Sequence, residues 1–71
     1  MLNMKLTPVK SSNILAIGHT GTKLRVQFHN GKTFEYPGVS AAKFQELRDA
    51  SSIGAHFGTH IRQHFNGLEI K

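Results

Sequence analysis

The chain has 71 residues, enough for one domain and not two. A domain of this size buries only about 60% of the surface its unfolded chain exposes, which leaves little room for a deep enclosed substrate pocket. The absence of cysteine excludes disulfides, thiolate metal sites and a cysteine nucleophile, and nine Lys and Arg against four Asp and Glu give a formal charge of +5, which favours anionic partners.

In chain order, residues 1–10 read as a tail or edge segment. Leu2, Met4 and Leu6 alternate with polar residues, hinting at a short extended piece, and Pro8 limits regular structure. Asn13 to His19 is short and holds Ile14, Leu15, Ala16 and Ile17 in succession, which favours a strand. A turn at His19-Thr20-Gly21-Thr22 follows. Its glycines resemble those of a phosphate loop, but no Gly-Lys-Ser/Thr follows and it joins two strands, so it reads as a hairpin turn.

Lys23 to His29 alternates cleanly. Leu24, Val26 and Phe28 point one way, and Lys23, Arg25, Gln27 and His29 the other. Asn30-Gly31 is a hairpin signal because both residues tolerate positive φ. Lys32 to Tyr36 returns as the third strand, ended by Pro37-Gly38.

Two registers fit this hairpin. A two-residue loop pairs Arg25 with Tyr36 and Gln27 with Phe34, which places both aromatics on the basic face as a stacking platform for bases. A three-residue loop with Gly31 as bulge glycine pairs Leu24 with Tyr36, Val26 with Phe34 and Arg25 with Glu35. The slip between them is one residue. Burial of two aromatics in a thin core favours the second, with Phe34 in the core and the Tyr36 hydroxyl reaching a polar partner or the rim.

Ser40 to Ala50 predicts a helix with Ser40 as N-cap and Ala41, Phe44 and Leu47 at helical spacing. Ser52 caps a second helix, Ile53 to Phe65, in which Ile53, Phe57, Ile61 and Phe65 form one apolar stripe. Gly54 and Gly58 inside it suggest close approach of a neighbouring backbone. Asn66-Gly67 stops the helix, and residues 66–71 read as a tail or a short closing strand. The expected architecture is α+β: a three-stranded antiparallel meander followed by two helices packed on one face.

Together these segments resemble the KTSC domain. The resemblance rests on Ser11-Ser12-Asn13-Ile14, Ala16-Ile17-Gly18, Leu24-Arg25-Val26-Gln27-Phe28, Gly31, Phe34-Glu35-Tyr36, Gly38-Val39, Phe44, Leu47, Ala50-Ser51, Gly54, Phe57, Ile61 and Phe65. It covers most of the chain, so residues 11–65 are taken as the KTSC-like domain. The family's central Tyr-x-Tyr pattern is Phe34-Glu35-Tyr36 here, which removes the first hydroxyl and points to packing for that ring. Ser40 stands where a proline often follows the family's valine, and His19 where a tyrosine is common. The family takes its name from the C-terminus of some lysyl-tRNA synthetases and also occurs as a single domain in bacterial and phage proteins. The resemblance therefore implies a stand-alone form and suggests RNA as partner.

His56, His60 and His64 stand at intervals of four on the second helix. One such pair can chelate a metal, but the outer two lie about 12 Å apart along the axis and cannot share an ion. They read as a solvated or partly packed face, so no metal site and no cofactor are expected. With few acids and no reason to place two imidazoles around one phosphate, no catalytic residue is assigned. The candidate nucleic-acid contacts are Lys23, Arg25, Lys32 and Arg62 for phosphates, with His29 and Tyr36 for bases. The alternative is a protein-interaction module, for instance a bacterial or phage regulator docking on a host machine such as RNA polymerase, with an open sheet edge free to accept a strand. No run of about 20 apolar residues and no secretory signal is read, so a cytoplasmic location without membrane contact is expected.

Overall fold

A computed structural model describes residues 5–70. In chain order its elements are β1 (Thr7–Pro8), β2 (Ile14–Thr20), β3 (Lys23–Phe28), β4 (Thr33–Pro37), α1 (Ala41–Asp49), α2 (Ile53–His56), a π-helical segment (Phe57–Arg62) and β5 (Leu68–Ile70). The strands form one antiparallel sheet in the order β1-β2-β3-β4-β5. The α+β class holds, but the sheet has five strands where three were expected. Both additions come from the two ends of the sequence, residues 1–10 read as a tail or edge segment and residues 66–71 as a tail or short closing strand.

The physical reason lies at the meander's edges. Without a neighbour, β2 and β4 would each present a row of unpaired backbone groups. Thr7 and Pro8 pair with Ile17 and Ala16, and Leu68 to Ile70 pair with Glu35 to Thr33. Pro8 has no N–H to donate, so an outermost strand is where it fits. The expected alternation at Leu2 and Met4 falls outside the described residues.

The central hairpin takes the three-residue loop. Phe28 N–H donates to the Lys32 carbonyl at 2.9 Å, Gly31 N–H to the Phe28 carbonyl at 3.0 Å, and Gly31 has φ +90°. Leu24 pairs with Tyr36, Arg25 with Glu35 and Val26 with Phe34. The two-residue alternative, with its exposed aromatic platform, is thereby overturned. Its cost would have been the burial of Tyr36, which is only 5% exposed and packs in the core.

One face of the sheet carries Ile14, Ile17, Leu24, Val26 and Tyr36, and the helices close over it with Leu47, Phe57 and Ile61. Both predicted caps form. Ser40 Oγ accepts from Lys43 N–H at 3.3 Å, and Ser52 Oγ from Ala55 N–H at 3.4 Å. The second helix departs from expectation beyond His56, where it continues as a π-helical segment. A stripe repeating strictly every four residues drifts around an α-helix, which turns every 3.6. The wider i→i+5 turn rotates less per residue and keeps Phe57 and Ile61, both buried, on the core. At Gly54 the close neighbour is a side chain and not the expected backbone: a Cβ there would stand 3.1 Å from Ser11 Oγ. At Gly58 nothing lies within 4 Å, so the expected backbone contact is absent there.

Candidate functional site

The N-terminal segment, the hairpin tip and the second helix meet at Ser11. Its Oγ accepts from Ile14 N–H at 3.2 Å and from Asn13 N–H at 3.3 Å. Its carbonyl accepts from His29 Nε2 at 2.9 Å, which fixes the proton on that nitrogen because a carbonyl cannot donate. His29 N–H in turn reaches the Asn13 carbonyl at 3.0 Å. These bonds hold the hairpin tip beside the loop at residues 11–13 and face it toward the end of the π-helical segment.

Two hollows open there. One, of about 390 Å³, is lined by Ser12, Asn13, Phe28, His29, Asn30 and Arg62. The other, of about 330 Å³, has an aromatic wall of Phe28, Phe34, Tyr36 and Phe57. Lys32, Asn30 and Arg62 complete that second wall. The hollows therefore share Phe28, Asn30 and Arg62 and lie side by side along one stretch of surface, the cleft. No acidic residue lines either hollow.

The aromatic wall is a packed edge-to-face cluster. Phe28 meets Phe34 with ring centroids 5.9 Å apart and Phe57 at 5.7 Å, while Tyr36 meets Phe57 at 5.4 Å. Such pairs contribute about 0.5–1.5 kcal/mol each beyond burial. Gly67 lies against the other side of the tyrosine. A Cβ on it would fall 2.5 Å from Tyr36 Cε2, so only glycine lets the chain pass there on its way into β5.

Of the candidate contacts, His29, Lys32, Tyr36 and Arg62 gather at this cleft. Lys23 and Arg25 do not. Lys23 lies at the far end of β3, opposite Pro37. Arg25 sits on the sheet face away from the helices and pairs with Glu35 at 3.3 Å, the partner the register predicted. Its Nε is buried without a hydrogen-bond partner among the described residues. Lys32 and Arg62 have no carboxylate partner among the described residues.

Tyr36 is a core residue that shows the cleft only part of its surface. Burial pushes its phenol above the ordinary value of 10.0, and the positive charge of Arg62 draws it partway back. The folded state thus prefers the neutral phenol. Its contribution to stability is complete below pH 10 and is lost as pH rises from there through the folded-state pKa. As Tyr36 is the only tyrosine, tyrosinate absorbance reads it directly. We expect titration above that of the unfolded chain, a further upward shift in Arg62→Gln, and a weaker alkaline loss of stability in Tyr36→Phe. A phenol titrating below the unfolded value would contradict this packing.

Sequence reasoning missed Asn30, Phe28 and Phe57 as site residues. Asn30 was accounted for by the turn, and the two phenylalanines by strand and helix stripes. The remaining histidines play other parts. His19 Nε2 donates to the Val39 carbonyl at 2.7 Å and its ring stacks on Phe44 at 5.0 Å. His56 and His60 place their rings 4.2 Å apart on the helix surface. No group of three or more candidate metal ligands occurs among the described residues. No helix there is long and apolar enough to cross a membrane.

Comparison with known proteins agrees with the fold and the motifs. No curated protein matches the chain. The crystal structure of a KTSC domain protein from Yersinia pestis superposes with a TM-score of 0.89 at 35% identity, covering 97% of this chain and 100% of that one. The KTSC domain profile matches residues 10–65, a span that includes the Ser11 junction, the hairpin and the whole π-helical segment. On these matches the chain belongs to the KTSC domain family.

Proposed function

We propose that this domain binds single-stranded RNA in the cleft between the hairpin tip and the π-helical segment, and carries out no catalysis. The observation that carries the reading is the composition of the cleft: Lys32 and Arg62 beside an aromatic wall, with no carboxylate lining it. Cations beside aromatic surface suit a strand whose phosphates need charge and whose unpaired bases need an apolar surface. Bases held in a duplex cannot enter such a recess, so the strand must be unpaired. Neither hollow offers an acid paired with a base to activate water, which is why binding alone is assigned.

Fluorescence anisotropy with a labelled single-stranded oligoribonucleotide tests this. Binding should be present at low salt, weaken steeply as salt rises, and be weaker for the duplex of the same sequence. Absence of binding at low salt removes the reading.

A protein partner is the second reading, and one feature favours it. Leu68 is 63% exposed on β5, and its Cα partner is Glu35 of the Arg25–Glu35 pair. The edges of β2 and β4 are occupied by β1 and β5, so strand addition would have to use very short outer strands. Affinity capture after nuclease treatment separates the readings: one stoichiometric protein favours this one.

A further inference from the structure

We infer that the cleft is a receptor for two successive nucleotides, with the phosphate that links them seated between Asn30 and Arg62. The inference rests on the single-stranded reading above and goes further by fixing the smallest ligand and the phosphate position. Three residues line both hollows: Phe28, Asn30 and Arg62. Phe28 is the aromatic partition. The other two carry hydrogen-bond donors and border both hollows.

The donor character of Asn30 follows from its own bonding. Its Oδ1 accepts Lys32 N–H at 2.9 Å, an assignment forced by the partner, since a backbone N–H can only donate. The side-chain amide is therefore oriented with its oxygen engaged and its NH2 left to donate. Arg62 offers only donors, and no ion pair engages it among the described residues. A neutral NH2 and a guanidinium on that shared border, with no lining carboxylate, suit an anion there.

Each hollow lies near the lower end of the range for small-ligand pockets, about 300–1,000 Å³. That size suits one base rather than an extended ligand. The two differ in chemistry. The hollow with Phe34, Tyr36, Phe57 and Lys32 offers an apolar wall. The one with Ser12, Asn13 and His29 offers polar groups that can meet a base edge. A dinucleotide step fills both and puts its one bridging phosphate at the shared border. A mononucleotide fills one and leaves the other to water.

Adenylyl-adenosine (ApA) and adenosine monophosphate (AMP) separate this geometry from general charge attraction. AMP carries the greater negative charge, ApA the second base. We expect ApA to bind the full chain about tenfold more tightly than AMP by isothermal titration calorimetry, in line with one added stacked base. Asn30→Asp keeps an oxygen for Lys32 N–H but replaces the NH2 with a repelling carboxylate. It should bring ApA down to the level of AMP or below, and Arg62→Gln, an exposed change that does not depend on the turn, should do the same. If a longer single strand binds while AMP equals or exceeds ApA, the two-nucleotide receptor is wrong and the RNA reading survives. The receptor is equally wrong if both variants bind ApA like the parent. If the longer strand does not bind, both fail together.

Discussion

Phe57→Ala is expected to remove about 3–5 kcal/mol of stability, the cost of deleting a buried phenylalanine ring. A chain of this length has roughly 4–11 kcal/mol in total, so much of the variant should be unfolded in mild denaturant. The size of the effect follows from position. Phe57 is 4% exposed, opens the π-helical segment, and meets both Phe28 and Tyr36 edge to face. Removing it takes the partner from two sheet aromatics at once. It also removes part of the cleft wall, so any folded fraction should bind RNA poorly. Urea unfolding followed by circular dichroism measures the loss, with Phe57→Leu as the milder comparison. A loss below about 1 kcal/mol would mean that this ring is not the link between helix and sheet.

Changing Lys32 and Arg62 together to glutamine should have the opposite profile: a large effect on binding and almost none on folding. Both side chains belong to exposed residues, so unfolding should shift by no more than about 0.5 kcal/mol. Affinity for single-stranded RNA at low salt should fall about tenfold or more. The salt dependence should also flatten, because each lost phosphate contact lowers the slope of log affinity against log salt by about 0.7 for a single strand. Two lost contacts predict a decrease of about 1.4. Lys43→Gln on α1, a change of one charge away from the cleft, serves as the control beside each single substitution. An equal effect from that control would assign binding to net charge and not to this site.

Much of this architecture was legible because the decisive residues act locally. The alternation of Leu24, Val26 and Phe28, the Asn30-Gly31 turn and the serine caps each specify geometry over a few residues. Even the hairpin register followed from the burial expected of Phe34 and Tyr36, although only Tyr36 is fully in the core and Phe34 is half-buried against it. The outer strands were harder to read. Thr7–Pro8 is only two residues long and half proline, so it cannot specify a strand by itself; its pairing comes from the edge of β2 that it covers, a contact outside its own segment. The π-helical segment is also a tertiary choice: the period-four stripe pointed to a helix, and contact with the sheet set its turn width.

The site was legible as a composition and only partly as a place. Sequence reasoning places Arg25 and Arg62 alike among the phosphate contacts, although the favoured register already sets Arg25 opposite Glu35. The fold pairs the first with Glu35 on the face away from the helices and leaves the second at the mouth of the aromatic cleft. Asn30 carried no functional signal, because its role as a turn residue already explained it. Gly67 likewise reads as a helix stop, whereas its packing on the Tyr36 ring is visible only in three dimensions.

Backbone amide shifts on titration with a short single-stranded RNA test the central claim most directly. The account predicts that the largest changes fall on residues 28–32, on Ser12 and Asn13, and on residues 57–62, with little change across Arg25, Glu35 and Leu68. Changes centred on that second group, or none at an RNA concentration well above the protein's, would contradict it.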